Sequence, residues 1–214
     1  LLRNIGRELL HHAPFTAAGA VMGIVVMAVI SIVDTPTNVS ESLFFTFHPL
    51  HVVFSALVTT AMYRKQKGHK LWAVAIIGYV GSVGIATLSD AVIPYLEGSS
   101  LKVDMAFHLP FLETELMPFI GVPKWIVING AALIGIAIGF FRPNTTLPHM
   151  GHVLLSTWAS IFGFTAFGTA DWLPLLPVIF VFLFLAVWIP CCVSDIVFPL
   201  LWVKGEPTHQ HEHH

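Results

Sequence analysis

The chain has 214 residues, of which 56% are hydrophobic and only 10% charged, with a mean hydropathy of +0.80 and a formal net charge of −2. A soluble globule of this size carries about a quarter of its residues charged, so composition excludes an ordinary soluble domain, and a near-neutral charge gives no footing for a nucleic-acid partner. The only two cysteines, Cys191 and Cys192, are adjacent inside an apolar run, which excludes a disulfide framework.

In chain order, residues 1–15 mix Arg3, Arg7 and Glu8 with leucines and read as an interfacial helix leading into the bilayer. Apolar runs of bilayer-spanning length follow at 17–33, 43–63, 71–96, 125–141, 148–167 and 173–203. The expected fold is therefore all-α: a polytopic integral membrane protein of six transmembrane helices. Residues 99–123 form the one long loop, and the apolar content of 105–119 points to a re-entrant or interfacial segment. A polar, histidine-rich tail occupies 204–214, with His209, His211, His213 and His214 able to collect metal loosely. Eight of the ten Lys and Arg residues fall on the side of the two termini, and only Lys102 and Lys124 on the other, which places both termini in the cytoplasm.

The chain also repeats itself. Ser89-Asp90 with Pro94 is echoed by Ser194-Asp195 with Pro199; His48-Pro49-Leu50-His51-Val52 with Ser55 by His149-Met150-Gly151-His152-Val153 with Ser156; and His12-Ala13-Pro14-Phe15 by His108-Leu109-Pro110-Phe111. These pairs keep their order, so the chain reads as two diverged units, 1–98 and 99–203, followed by the tail. Three spans per unit is an odd number, so the second unit must be inverted relative to the first, an arrangement of many secondary transporters.

The shared residues carry metal-binding chemistry. Residues at i and i+3 share a helix face, so His48 and His51 can point one way. Two imidazoles with a carboxylate suit zinc first, and iron or manganese next. An aspartate in an apolar helix costs on the order of 3 kcal/mol and calls for a partner. The topology predicts two clusters: His48, His51, Asp90 and His108 near the outer face, and His12, His149, His152 and Asp195 near the cytoplasmic face. His11, Glu113, Glu115, Ser55, Ser156, Cys191 and Cys192 are the additional candidates, the cysteines being absent from the first unit.

Two functions follow as expectations. The first is a divalent transition-metal transporter with the clusters as two stations on a path between the units. The second is an intramembrane metal-dependent enzyme, a zinc hydrolase acting on lipid or a di-metal oxygenase. The histidine, aspartate and serine set resembles that of intramembrane zinc hydrolases of the ceramidase and adiponectin-receptor type. The chain departs from them in its six spans, its His-x-x-His spacing and its duplicated set. The expected partners are the bilayer, a metal ion and, through the glycine-bearing first and fourth spans, a second copy of the chain.

Overall fold

The computed structural model describes residues 2–65, 70–143, 146–193 and 198, with side chains described throughout these except at 2–9, 11–12, 146–149 and 192. Its helices are α1 (Leu2–Val33), α2 (Thr37–Lys65), α3 (Leu71–Ser100), α4 (Lys124–Phe141), α5 (Thr146–Phe167) and α6 (Leu176–Cys192). Each contributes a stretch long and apolar enough to cross a bilayer. α1 runs unbroken through Pro14, so the expected interfacial segment and first span are one helix. α3 continues past the expected end at residue 96 to Ser100.

The distribution of polarity is that of a membrane protein. Large apolar side chains such as Val25, Leu133, Ile134 and Phe141 are exposed on helix exteriors. By contrast Ser55, Thr59, Thr60, Ser82, Ser89, Ser156, Thr157 and Ser160 are buried. Hydroxyls are affordable inside because each can bond a carbonyl of its own or a neighbouring helix: Ser82 donates to Gly78 O at 2.7 Å and Thr157 to Val153 O at 2.9 Å.

α2 lies at the centre, packed on α5, α4 and α3, while α1 packs on α6 and α5. The register of α2 on α5 is antiparallel. Phe44 meets Phe167, Phe47 meets Phe162 and Trp158, His51 meets His152, and Phe54 lies over Gly151. α4 approaches α2 through Gly135 and Gly139, so closely that a Cβ on either would collide with the carbonyl oxygens of Val53 and Leu57 respectively. This is the close approach that small residues four apart permit in a bilayer.

The connection between α3 and α4 is ordered rather than loose. Its Asp104–Met105 strand (β1) pairs antiparallel with Gly168–Thr169 (β2), tying it to the end of α5. The carbonyls of Glu115 and Glu113 accept from the backbone N–H groups of Lys124 and Trp125 at 2.9 and 3.0 Å, satisfying donors that a helix start leaves open. The Lys124 ammonium binds the Glu113 and Glu115 carboxylates, each at 2.9 Å, and lies over the Phe45 ring.

Partial burial opposes ionisation of Glu113, but the hydrogen-bonded Lys124 ammonium and the nearby His108 imidazole outweigh it and hold the carboxyl down at about 2, against an ordinary 4.5. A depressed acid contributes stability above its ordinary value and loses it as pH falls toward the folded one. Hydrogen–deuterium exchange of residues 113–117 is therefore expected to accelerate as pH drops from about 4.5 to about 2, beyond the intrinsic pH trend. In Glu113→Gln that extra acceleration is absent.

Candidate metal centre

The site is built around a distortion of α3. Turns of π geometry occupy Val80–Gly84 and Leu88–Val92, and the second contains Asp90. For the second, Pro94 is a sufficient local cause, because a proline has no N–H to return to the preceding turn. In the π register the donor missing at residue 94 is the one that would serve the carbonyl of Ser89. Ser160 of α5 supplies it, donating to Ser89 O at 3.1 Å. Gly163 lets α5 approach, since a Cβ there would stand only 3.0 Å from Asp90 O. Proline neighbours other site residues too: Pro49 follows His48 in α2, and Pro190 precedes Cys191 in α6.

Asp90 is completely buried and its two carboxylate oxygens divide the work. Oδ2 accepts from His48 Nδ1 at 2.9 Å and from His51 Nδ1 at 2.7 Å. Oδ1 accepts from Ser89 Oγ at 2.6 Å and from Ser156 Oγ at 3.0 Å. An ionised carboxylate has about four lone-pair sites, and all are taken. Charge-assisted bonds contribute about 1.5–3 kcal/mol each, enough together to offset the cost of placing a carboxylate in an apolar helix.

This arrangement settles the two tautomers. With Nδ1–H donating to Asp90, each neutral imidazole carries its lone pair on Nε2, and neither Nε2, both buried, has a hydrogen-bond partner among the described residues. A carboxylate holding Nδ1–H while Nε2 is left for an ion is the usual outer-shell pattern of metal-binding histidine. Asp90, expected to be a ligand, forms with His48 and His51 a group whose ligand atoms all lie within 4.8 Å of one another and could hold a metal ion, while its oxygens also accept from four donors.

The second half of the chain meets the same centre. The His152 ring stacks on His51, centroids 5.3 Å apart and planes within 3°. His51, His152 and the buried Cys191 each offer a ligand atom within 4.8 Å of the others. The expected separation into outer and inner clusters thus fails for His152, because α5 runs antiparallel to α2 and crosses it at these two residues. His51 is the central residue of α2, fourteen from Thr37 and fourteen from Lys65.

The remaining candidates fall elsewhere. His108 packs on Phe167 and on Phe44, and Phe44 also stacks on His48, so one phenyl ring touches both imidazoles; the His108 Nδ1 lies 3.5 Å from Glu113. Glu113 and Glu115 are engaged by Lys124 rather than the centre. Ser55 is buried in α2. Asp195, the tail histidines and the side chains of His11, His12, His149 and Cys192 lie outside what the structure describes. Ser89 and Ser160 were not among the expected residues, although the Ser-Asp pair in both units was a signal for the first.

The fold and centre define a class: a polytopic helical membrane protein with a buried histidine–aspartate–serine centre. Compared with protein-family models, curated proteins and solved structures, the chain matches none.

Proposed function

We propose that the chain is an integral membrane transporter of a divalent transition metal, built from two inverted three-helix units, with the ion held where the units meet. The observation that carries the metal reading is the pair of buried Nε2 lone pairs on His48 and His51, both set by one carboxylate and facing no donor among the described residues. Neutral imidazoles of this kind suit zinc, iron(II) or manganese(II).

Several contacts support inversion. His51 and His152 are equivalent in the repeat, and equivalent residues meet where a two-fold axis in the membrane plane passes between antiparallel helices. In the first unit Gly19 and Gly23 of α1 pack on Thr157 and Ile161 of α5. In the second unit Gly135 and Gly139 of α4 pack on Ala56 and Thr60 of α2. Subtracting 101, the His48 to His149 offset, converts Thr157 to position 56 and Ile161 to position 60, so the two glycine pairs occupy matching places. α3 carries a π turn at Asp90, and helices interrupted near the site are what such transporters use at the midplane. On this reading both termini are cytoplasmic.

The test is metal uptake into proteoliposomes by the full chain carrying alanine at His209, His211, His213 and His214, so that the tail does not confound binding. Purified protein is expected to retain transition metal in a fixed ratio to chain, and His51→Ala and His152→Ala each to abolish flux. Protein that neither contains nor gains metal on titration overturns the proposal. The convergence of three histidines, an aspartate and serines on one centre also favours the enzyme reading, in which a metal-bound water of lowered pKa attacks a lipid ester or amide. That reading predicts tightly retained metal without flux, and lipid turnover lost in His152→Ala.

A further inference from the structure

Resting on the metal reading above, we infer that the ion is held by a mixed nitrogen and sulfur set, His51, His152 and Cys191, drawn from both units, so that the cargo is a borderline-to-soft cation of the zinc class rather than a hard one. Cys191 is fully buried at the end of α6, in the turn that follows Pro190. Its sulfur belongs to a three-membered group whose ligand atoms lie within 4.8 Å of one another. Zinc bonds of about 2.0–2.1 Å to nitrogen and 2.3 Å to sulfur put tetrahedral ligand atoms roughly 3.3–3.7 Å apart, so the group needs to close by no more than about 1.5 Å. The independent sign of a ligand is the His51 Nε2 lone pair, buried and without a partner among the described residues, in a ring fixed by Asp90.

Charge balance points the same way. Zinc brings +2; the Cys191 thiolate and the Asp90 carboxylate bring −1 each, and both imidazoles stay neutral. Counted over the described residues, the loaded centre is then uncharged, which an apolar interior favours over an isolated ion. Binding releases the thiol proton to water. Manganese and magnesium prefer oxygen and gain little from sulfur, so they forfeit the thiolate and leave the centre with net positive charge. The repeat makes this site singular. By the 105-residue offset that relates Asp90 to Asp195, the position matching Cys191 is Ala86, which offers no donor.

The test uses the full-length chain with the tail histidines replaced and Cys192→Ser, so that Cys191 is the only thiol. Loaded with cobalt(II), it is expected to show a thiolate-to-metal charge-transfer band in the near ultraviolet. Loaded with zinc, it should give a sulfur shell at about 2.3 Å by X-ray absorption. Adding Cys191→Ser should remove both while nitrogen ligation persists. Zinc and cadmium should compete for the site, and a large excess of manganese should not displace either. Protein that binds metal in a fixed ratio to chain with nitrogen ligation alone overturns the sulfur inference and leaves the transporter reading standing. Protein that binds no metal overturns both. The parent's spectrum decides between these outcomes even if Cys191→Ser does not fold.

Discussion

Asp90→Ala is expected to abolish recovery of folded protein, whereas Asp90→Asn should fold and bind zinc about 10–100-fold more weakly, the usual loss for an outer-shell partner. The contrast follows from the four bonds at this carboxylate. Alanine leaves two imidazole N–H groups buried without their acceptor, while Ser89 Oγ can turn to Ala86 O and Ser156 Oγ to Ser89 Oγ, each at 3.3 Å. At about 1–3 kcal/mol for each unsatisfied group, the two N–H groups together cost about 2–6 kcal/mol, a large share of the stability of a marginal domain. Asparagine is nearly isosteric, and its carbonyl oxygen can replace Oδ2 opposite both histidines. Its amide nitrogen then faces Ser89 and Ser156, whose oxygens accept as readily as they donate. What asparagine removes is the charge that orients the rings and raises the basicity of their Nε2 atoms. Thermal unfolding in detergent and zinc titration against a chelator separate the two effects. Wild-type affinity in Asp90→Asn would show that the carboxylate does not tune the centre.

The parts of this site that were readable in one dimension are those set by spacing along a helix. His48 and His51 fall on one face because they are three apart, and both reach the same oxygen of Asp90. Six spans were equally legible, since bilayer thickness fixes a minimum apolar length. The register between helices distant in sequence is not written in either pattern. That His152 meets His51 depends on where α5 crosses α2, which is decided by Phe47 against Trp158 and Phe162, and Gly151 beneath Phe54. Asp90 is legible as a metal-site residue but not as an orienter. Its four donors come from two other helices as well as its own, and only the assembled set shows its lone pairs to be full. Glu113 and Glu115 look like acids available to a metal until the fold brings Lys124 back to them at the start of α4.

The second large effect lies away from the centre, at the helix that holds it in place. Gly135→Ala is expected to destabilise the protein at the upper end of the ~1–3 kcal/mol range for overpacking and to weaken metal binding with it. The new Cβ would collide with Val53 O and lie 2.7 Å from Ala56 Cβ. A backbone carbonyl cannot rotate aside as a side chain can, so α2 itself must shift. His51 and His48 ride on α2 only two and five residues from Val53, and a shift there disturbs their bonds to Asp90. Gly23→Ala meets only side-chain atoms, Ile161 Cγ1 and Thr157 Cγ2, both at 3.1 Å, and should cost less. Gly130 of the same α4 has nothing within 4 Å of its would-be Cβ. There alanine should be neutral or stabilising by up to about 1 kcal/mol through helix propensity. The expected order of thermal midpoints is therefore Gly130→Ala at or above wild type, then Gly23→Ala, then Gly135→Ala, with zinc affinity falling in the last. A Gly135→Ala protein as stable as wild type would mean that α4 does not seat on the α2 backbone at this register, and the placement of His48 and His51 would lose its support.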